Sequence, residues 1–218
     1  LVVLEQLKSL GFDPFYILDV GSNRCDWSKR CRSVFPHSCF VLIEPQESMM
    51  KSNLEFCRQG DFFFPCAVGM YRGDRTITYW DDTYGTSLLP KEGYCFEDGT
   101  LAKQGTVWVD TVDNLLTKNN LPMPEMAKLD IQGAELDTLL GAGLLFKFCE
   151  AIILEVSLFS FLEGQPDFVE VVKFMDERGF VPYDIFNKVH RPQDRALGQC
   201  DICFVKRNGM FRKSNRWT

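Results

Sequence analysis

The feature that most constrains this chain is a repeated pairing: a short apolar run, then a segment with helical periodicity, with an acidic residue at or one before the end of four of the five runs. Phe15 to Val20 is the first such run and closes in Asp19-Val20-Gly21. Ser38 to Glu44, Phe62 to Val68, Ala127 to Ile131 and Ala151 to Val156 follow. After the first run, Trp27, Cys31, Val34 and Phe35 share one helical face, with Asp26 placed to cap that helix. After the second, Pro45 suits a first helical turn, and Met50, Leu54 and Cys57 line a face. Val112 to Lys118 reads as a helix. Leu136, Leu139 and Leu140 form the face of another, which stops near Gly141 and Gly143. Phe168, Val171, Val172 and Met175 form the face of the last helix, which Gly179 ends. Phe180 to Ile185 and Asp201 to Val205 are the final strands, joined by a polar connection holding His190. Strands that alternate with helices predict an α/β fold, a mostly parallel sheet with helices on both faces, as a single domain over residues 1–218.

Residues 70–110 break this rhythm. Thr76 to Trp80 and Thr106 to Val109 read as strands, and the polar stretch between them, 81–104, is rich in Gly, Asp and Tyr. A long irregular segment inside a domain is usually functional or mobile, so 81–104 is the candidate lid or substrate loop.

Composition removes several classes. With 45% apolar and 25% charged residues the chain has a globular balance. No run approaches the ~18 apolar residues of a membrane span. A net charge of −6 argues against a nucleic-acid partner held by a basic surface. The exception is the tail 206–218, with Lys206, Arg207, Arg212, Lys213 and Arg216, read as a solvated terminus. The nine cysteines show no framework spacing and sit mostly in apolar runs, which points to a reducing, cytoplasmic setting. Cys200 and Cys203 form a lone CxxC on a strand that directs them to opposite faces, so neither zinc nor redox chemistry is expected there. Leu1 in place of Met is read as the mark of a trimmed segment, and hence of an acceptor that could arrive on a carrier protein.

In parallel sheets ligands lie beyond the carboxyl ends of the strands. There the chain places Asp19, Glu44, Val68, Asp130 and Glu155, four of them acids that core packing does not need. Gly21 lets the backbone turn sharply after the first strand. Glu44, 23 residues later, can accept hydrogen bonds from both hydroxyls of a ribose. Together they point to an adenosine-containing cofactor. The G-x-G-x-x-G cradle for a pyrophosphate is missing, since Asn23 and Cys25 stand where further glycines would. Asp19 at the turn suits a cation such as a sulfonium. The pattern favours S-adenosylmethionine and a methyltransferase. The alternatives are a nicotinamide-linked oxidoreductase and a catalytically inactive scaffold domain.

The motifs resemble those of the FkbM family of S-adenosylmethionine-dependent methyltransferases. Asp19-Val-Gly-Ser-Asn23 is similar to the family's first motif, Glu44-Pro45 to its second and Ala67-Val68-Gly69 to the segment after the third strand. Gly85-Thr-Ser-Leu-Leu89 and Val109-Asp-Thr-Val-Asp113 resemble its middle segments. Lys128-Leu-Asp-Ile-Gln-Gly-Ala-Glu135 is the most specific match, and Ile153-Leu-Glu-Val156 and Phe161-Leu-Glu-Gly-Gln-Pro166 follow. The resemblance implies a Rossmann-like class I methyltransferase with a seven-stranded sheet, acting on a hydroxyl of a natural product (polyketide or peptide) or a sugar. By position it implies Asp19, Gly21 and Asn23 around the methionine part, Glu44 at the ribose, Ala67 and Val68 beside the adenine, and Asp130 at the transferable methyl group, with Ser22 and Pro45 also binding the cofactor. Cys25 departs from the family's Gly, and its Cβ is expected to crowd the methionine end.

For the chemistry, Asp130 and Glu155 are the candidate proton acceptors, and Lys128, on the same strand face as Asp130, would tune it. Glu135 reads as favouring the helix dipole. Ser87 and His190 are candidates to touch substrate. Asp130 and Glu155 could share a divalent ion, but no third ligand is evident and metal dependence is not favoured.

Overall fold

In a computed structural model, residues 2–80, 83–91, 93–96, 99–214, 216 and 217 are described. Five residues of the expected lid segment, at 81, 82, 92, 97 and 98, and two of the basic tail, at 215 and 218, lie outside them. Helices are α1 (Val2–Ser9), α2 (Asp26–Val34), α3 (Met50–Phe56), α4 (Val112–Lys118), α5 (Glu135–Leu140), α6 (Gly143–Phe148) and α7 (Phe168–Glu177). Strands are β1 (Tyr16–Val20), β2 (Cys39–Ile43), β3 (Phe62–Phe64), β4 (Ala67–Val68), β5 (Gly73–Tyr79), β6 (Lys103–Asp110), β7 (Met126–Leu129), β8 (Ala151–Ser157), β9 (Phe180–His190) and β10 (Leu197–Lys206).

The main sheet has seven strands in the order β3-β2-β1-β7-β8-β10-β9. The five from β3 to β8 pair in parallel, and β10 runs antiparallel to both β8 and β9. The order reverses direction at β1, so β1 and β7 flank the crevice where a doubly wound sheet holds its ligand. Strand residues alternate between two cores. Leu18, Val20, Val41 and Ile43 pack with residues of α4 to α7 on one face. Ile17, Phe40, Leu42 and Ile153 pack with α1 and α2 on the other. Cys200 belongs to the first core and Cys203 to the second, on opposite faces as their spacing requires. Among the described residues no helix is long and apolar enough to cross a membrane.

Several expectations are corrected. The third run does not continue to Val68: it breaks at Pro65, and β4 joins β5 and β6 in a separate three-stranded sheet. Proline cannot donate to a strand ladder, so the chain leaves the main sheet there. Asp26 is the first residue of α2 rather than its cap; Cys25 occupies the cap position in a left-handed conformation, φ 60°. Glu47–Met49 forms a 3-10 turn ahead of α3, which shifts the helical phase. Met49 and Asn53 therefore face inward, while Met50 and Leu54 are exposed. The helix expected to end near Gly141 is followed by a second one, α6, and Glu135 and Thr138 are buried on α5 where Leu140 is exposed. The connection expected around His190 is the end of a long antiparallel hairpin, with His190 opposite Leu197.

Candidate functional site

A cavity of about 320 Å³ opens at the carboxyl ends of β1, β2, β7 and β8. That is within the range of small-molecule sites. Gly21, Ser22, Asn23, Glu44, Pro45, Ala67, Val68, Ser87, Lys128, Asp130 and Glu155 all line it. Asp19 lies beneath it, fully buried, with Oδ2 accepting from Ser28 Oγ at 2.5 Å. His190 is exposed and does not line the cavity.

The cofactor-side wall is built by backbone. The amides of Gly21 and Ser22 both donate to the Ile43 carbonyl, closing the turn after β1. Gly21 has φ +77°, and a Cβ there would collide with the Asp130 carbonyl, so only glycine fits between the β1 and β7 ends. Glu44 is buried, and its two oxygens accept from the backbone amides of Asn23 and Gln46, each at 2.9 Å. Burial raises the Glu44 pKa, while those two amides oppose the rise. Each carboxylate oxygen keeps a further lone pair for a ligand.

Asn53 is the buried residue that sequence reasoning missed here. Its Oδ1 accepts from Ser22 Oγ at 2.6 Å and from Cys25 Sγ at 3.2 Å, and its Nδ2 donates to the Asn23 carbonyl at 2.7 Å. The Cys25 thiol is thereby turned toward α3 and does not line the cavity, which corrects the expectation that it crowds the ligand.

The opposite wall carries the acids. Asp19 and Lys128 are register partners on β1 and β7, and Glu155 and Asp201 on β8 and β10, all on the α2 face of the sheet. Lys128 Nζ donates to Asp130 Oδ2 at 2.9 Å and lies 5.8 Å from the Trp27 ring centre. Burial works against the Lys128 cation, but Asp130 and Asp19 outweigh it and hold its pKa above the usual lysine value. Asp19 is raised by burial, against the pull of Lys128. Glu155 is pushed up to about 9, by burial first and then by the charges of Asp130, Glu135 and Asp201, with Lys128 opposing. Burial and the neighbouring acids thus favour the neutral form of Glu155. Asp201 and Asn187 also line the cavity, hydrogen-bonded at 2.7 Å; neither stood out in the sequence. Glu135 does more than favour a helix dipole: it is buried, and its Oε1 accepts from the amides of Ile131 (2.9 Å) and Gly133 (3.2 Å), fixing the turn after β7.

From the segment 81–104, Thr83, Tyr84, Thr86, Ser87 and Leu88 line the cavity. The Thr83 carbonyl accepts from the Asn23 and Gln46 side chains at 3.1 and 3.0 Å. Ser87 Oγ donates to the Gln132 carbonyl at 2.9 Å. Asn23 Oδ1 and Thr83 Oγ1 are buried without a hydrogen-bond partner. Two orphaned acceptors on residues of the cavity wall fit a polar ligand that satisfies them. Among the described residues no group of three or more His, Cys, Asp or Glu side chains is arranged to hold a metal ion.

The methyltransferase FkbM domain matches residues 19–182, most of the chain. The chain belongs to the FkbM methyltransferase family. Its fold is that of class I Rossmann-like methyltransferases, and S-adenosylmethionine is the cofactor of that class. One similar solved structure is the 1,6-didemethyltoxoflavin-N1-methyltransferase of Burkholderia thailandensis, with bound 1,6-didemethyltoxoflavin and S-adenosylhomocysteine. It is 11% identical, with a TM-score of 0.50 over 94% of this chain and 76% of that one. Another is the precorrin-6y C5,15-methyltransferase of Geobacter metallireducens, at 11% identity and TM-score 0.49 over 94% and 86% of the two chains. No curated protein sequence matches the chain. Family membership replaces the nicotinamide-linked alternative.

The raised Glu155 pKa has a consequence for stability. An unfolded glutamate titrates near ~4.3. Between that value and about 9 the folded chain keeps a proton that the unfolded chain has released. Stability from this group is full below the lower value and is lost as pH rises through the upper one. Glu155→Gln removes the loss, so its stability relative to the parent should climb between about pH 5 and pH 9. Urea denaturation across that range measures it, and a difference independent of pH would contradict the assignment.

Proposed function

We propose that this FkbM methyltransferase transfers the methyl group of S-adenosylmethionine to a hydroxyl oxygen of a small molecule of the natural-product or sugar type, free or carried on a protein. The observation that carries the reading is the arrangement at the two cavity walls. One presents a buried carboxylate locked by two backbone amides, and the other a carboxylate ion-paired to a buried lysine. In this reading Glu44 takes the ribose hydroxyls, with Pro45 at its side. Ala67 and Val68 give the adenine an apolar wall. Gly21, Ser22 and Asn23 receive the methionine part, with Asp19 beneath them as a buried counter-charge. The 83–88 stretch acts as a lid whose Thr83 and Ser87 contacts already tie it to both walls.

The cofactor supplies a methyl carbon activated by its sulfonium. The chain's task is to align a hydroxyl with that carbon, and alignment alone is worth ~7–11 kcal/mol. Asp130 faces the cavity with Oδ2 held by Lys128 at 2.9 Å, which fixes the orientation of the carboxylate. It would accept the hydrogen bond of the acceptor hydroxyl and take its proton as the carbon–oxygen bond forms and the carbon–sulfur bond breaks, the sulfur leaving as a neutral thioether. Glu155, whose neutral form is favoured, is placed to donate to a second oxygen of the acceptor rather than to act as base. His190, exposed at the end of β9, has no part in this reading.

Two variants test the halves separately. Glu44→Ala should weaken S-adenosylhomocysteine binding by ~1–3 kcal/mol in calorimetric titration, because it leaves ribose hydroxyls without an acceptor. An unchanged dissociation constant would remove Glu44 from the ribose site. Asp130→Asn should lower kcat by ~10²–10⁴-fold while cofactor affinity stays near that of the parent. Full turnover in that variant would exclude Asp130 as the proton acceptor.

A further inference from the structure

The side chain between the two acids of the acceptor wall is Gln132, which lies within the Lys128–Glu135 motif but has no role assigned there. Its Nε2 donates to Asp130 Oδ1 at 3.1 Å and to Glu155 Oε2 at 2.8 Å, so one amide group bridges the carboxyls of two different strands. Its backbone carbonyl accepts from Ser87 Oγ at 2.9 Å. Gln132 is held with φ +56°, a left-handed conformation that L side chains adopt rarely and at a cost. The neighbours keep it there. Glu135 Oε1 accepts from the amides on either side, Ile131 and Gly133. A Cβ on Gly133 would collide with Leu89 and Gln165, so the turn is enclosed by the lid segment on one side and the loop after β8 on the other.

We propose that Gln132 is a positioning residue for methyl transfer: its amide clamps Asp130 and Glu155 at a fixed separation and orientation, and its carbonyl ties that clamp to the lid through Ser87. The inference rests on the reading of Asp130 as the group that meets the acceptor hydroxyl. Two carboxyls facing one cavity are free to rotate unless a donor holds each of them. A glutamine amide offers two N–H donors, and here one nitrogen serves both acids. Asp130 Oδ2 is already committed to Lys128, so the clamp on Oδ1 removes the remaining freedom of that carboxylate. Glu155 Oε2 also accepts from Gln199 Nε2 at 3.3 Å, which fixes its other approach. The Ser87 bond to the Gln132 carbonyl joins the turn that carries this amide to the lid segment.

The titratable groups that face Glu155 are Asp130 after β7, Glu135 on α5, Asp201 on β10 and Lys128 on β7. An amide donor favours the ionised form of the carboxyl it touches. Losing the donor should therefore raise the Glu155 midpoint further, whereas a general loosening of the site would admit water and lower it.

The test uses the full chain labelled with ¹³C at its glutamate carboxyls, as the parent, Gln132→Met and Gln132→Glu. Met keeps the length and loses the donor, and Glu can donate only when protonated. All three share the same left-handed backbone strain, so differences report the side chain. The expected result for Gln132→Met is a Glu155 midpoint raised by ~0.5–1 pH unit. Its kcat should fall ~10-fold or more, with KM for S-adenosylmethionine within threefold of the parent. Gln132→Glu should recover kcat on the acid side of its own titration and lose it above. An unmoved or lowered Glu155 midpoint in either folded variant, or a parent-like kcat in Gln132→Met, would overturn the proposal. If the parent transfers a methyl group to no hydroxyl, the proposed function fails, and the Glu155 midpoint still decides the clamp by itself.

Discussion

The ion pair of Lys128 with Asp130 is the interaction on which the acceptor side of this fold depends. Lys128 is the one lysine or arginine buried among the described residues, and it lies beside four acids: Asp19, Asp130, Glu155 and Asp201. A buried charge without a partner costs several kcal/mol, and removing one partner of a buried pair typically costs ~3–5 kcal/mol. The cluster resolves this in two ways. Lys128 stays charged and offsets Asp130 and Asp19, and Glu155 favours its protonated form, which removes one charge from the sum. The surplus of acceptors that results faces the cavity, where a cationic ligand gains most from it. A sulfonium brought beside these groups would stabilise the ionised carboxylates, so cofactor binding and the protonation of the acid cluster are linked.

The topology that assembles this cluster was legible in the sequence because it has a simple physical signature. An acid near the end of an apolar strand has no packing use; Asp19, Asp130 and Glu155 stand so at β1, β7 and β8 and converge because these strands are parallel neighbours, while Glu44 after β2 forms the other wall. Gly21 was legible for the same reason, since a turn that tight against the Asp130 carbonyl admits no side chain. Period-two alternation puts Lys128 on the same face as Asp130 and leaves open whether the two pair; the structure pairs them.

What escaped has equally definite causes. Asn53, which clamps the turn after β1, is a polar residue on a helix, and polarity on a helix reads as solvent exposure. Its burial depends on the 3-10 turn at Glu47–Met49, whose effect on helical phase no local pattern announces. The same phase shift turned Met50 and Leu54 outward. Asp201 hid inside a strand read as core, because its partner Glu155 becomes its neighbour only through the antiparallel β8–β10 register. Gln132 stands in a turn where two successive residues are left-handed; Gly133 carries the usual signal, and nothing marks Gln132 before it. Position in a motif says where the Cα of Cys25 lies and not where its side chain points; Asn53 draws the thiol away.

The central claim is that S-adenosylmethionine sits between the Glu44 wall and the Asp130 wall. The most direct measurement is a titration of ¹⁵N-labelled chain with S-adenosylhomocysteine, following backbone amides. The Asn23 and Gln46 amides donate to Glu44, so they report on anything that binds its carboxylate. The account predicts saturable shifts at these two amides and at Ile131 and Gly133 on the far wall, at micromolar ligand. Saturable binding that leaves these amides unmoved, or no binding at millimolar ligand, would contradict it.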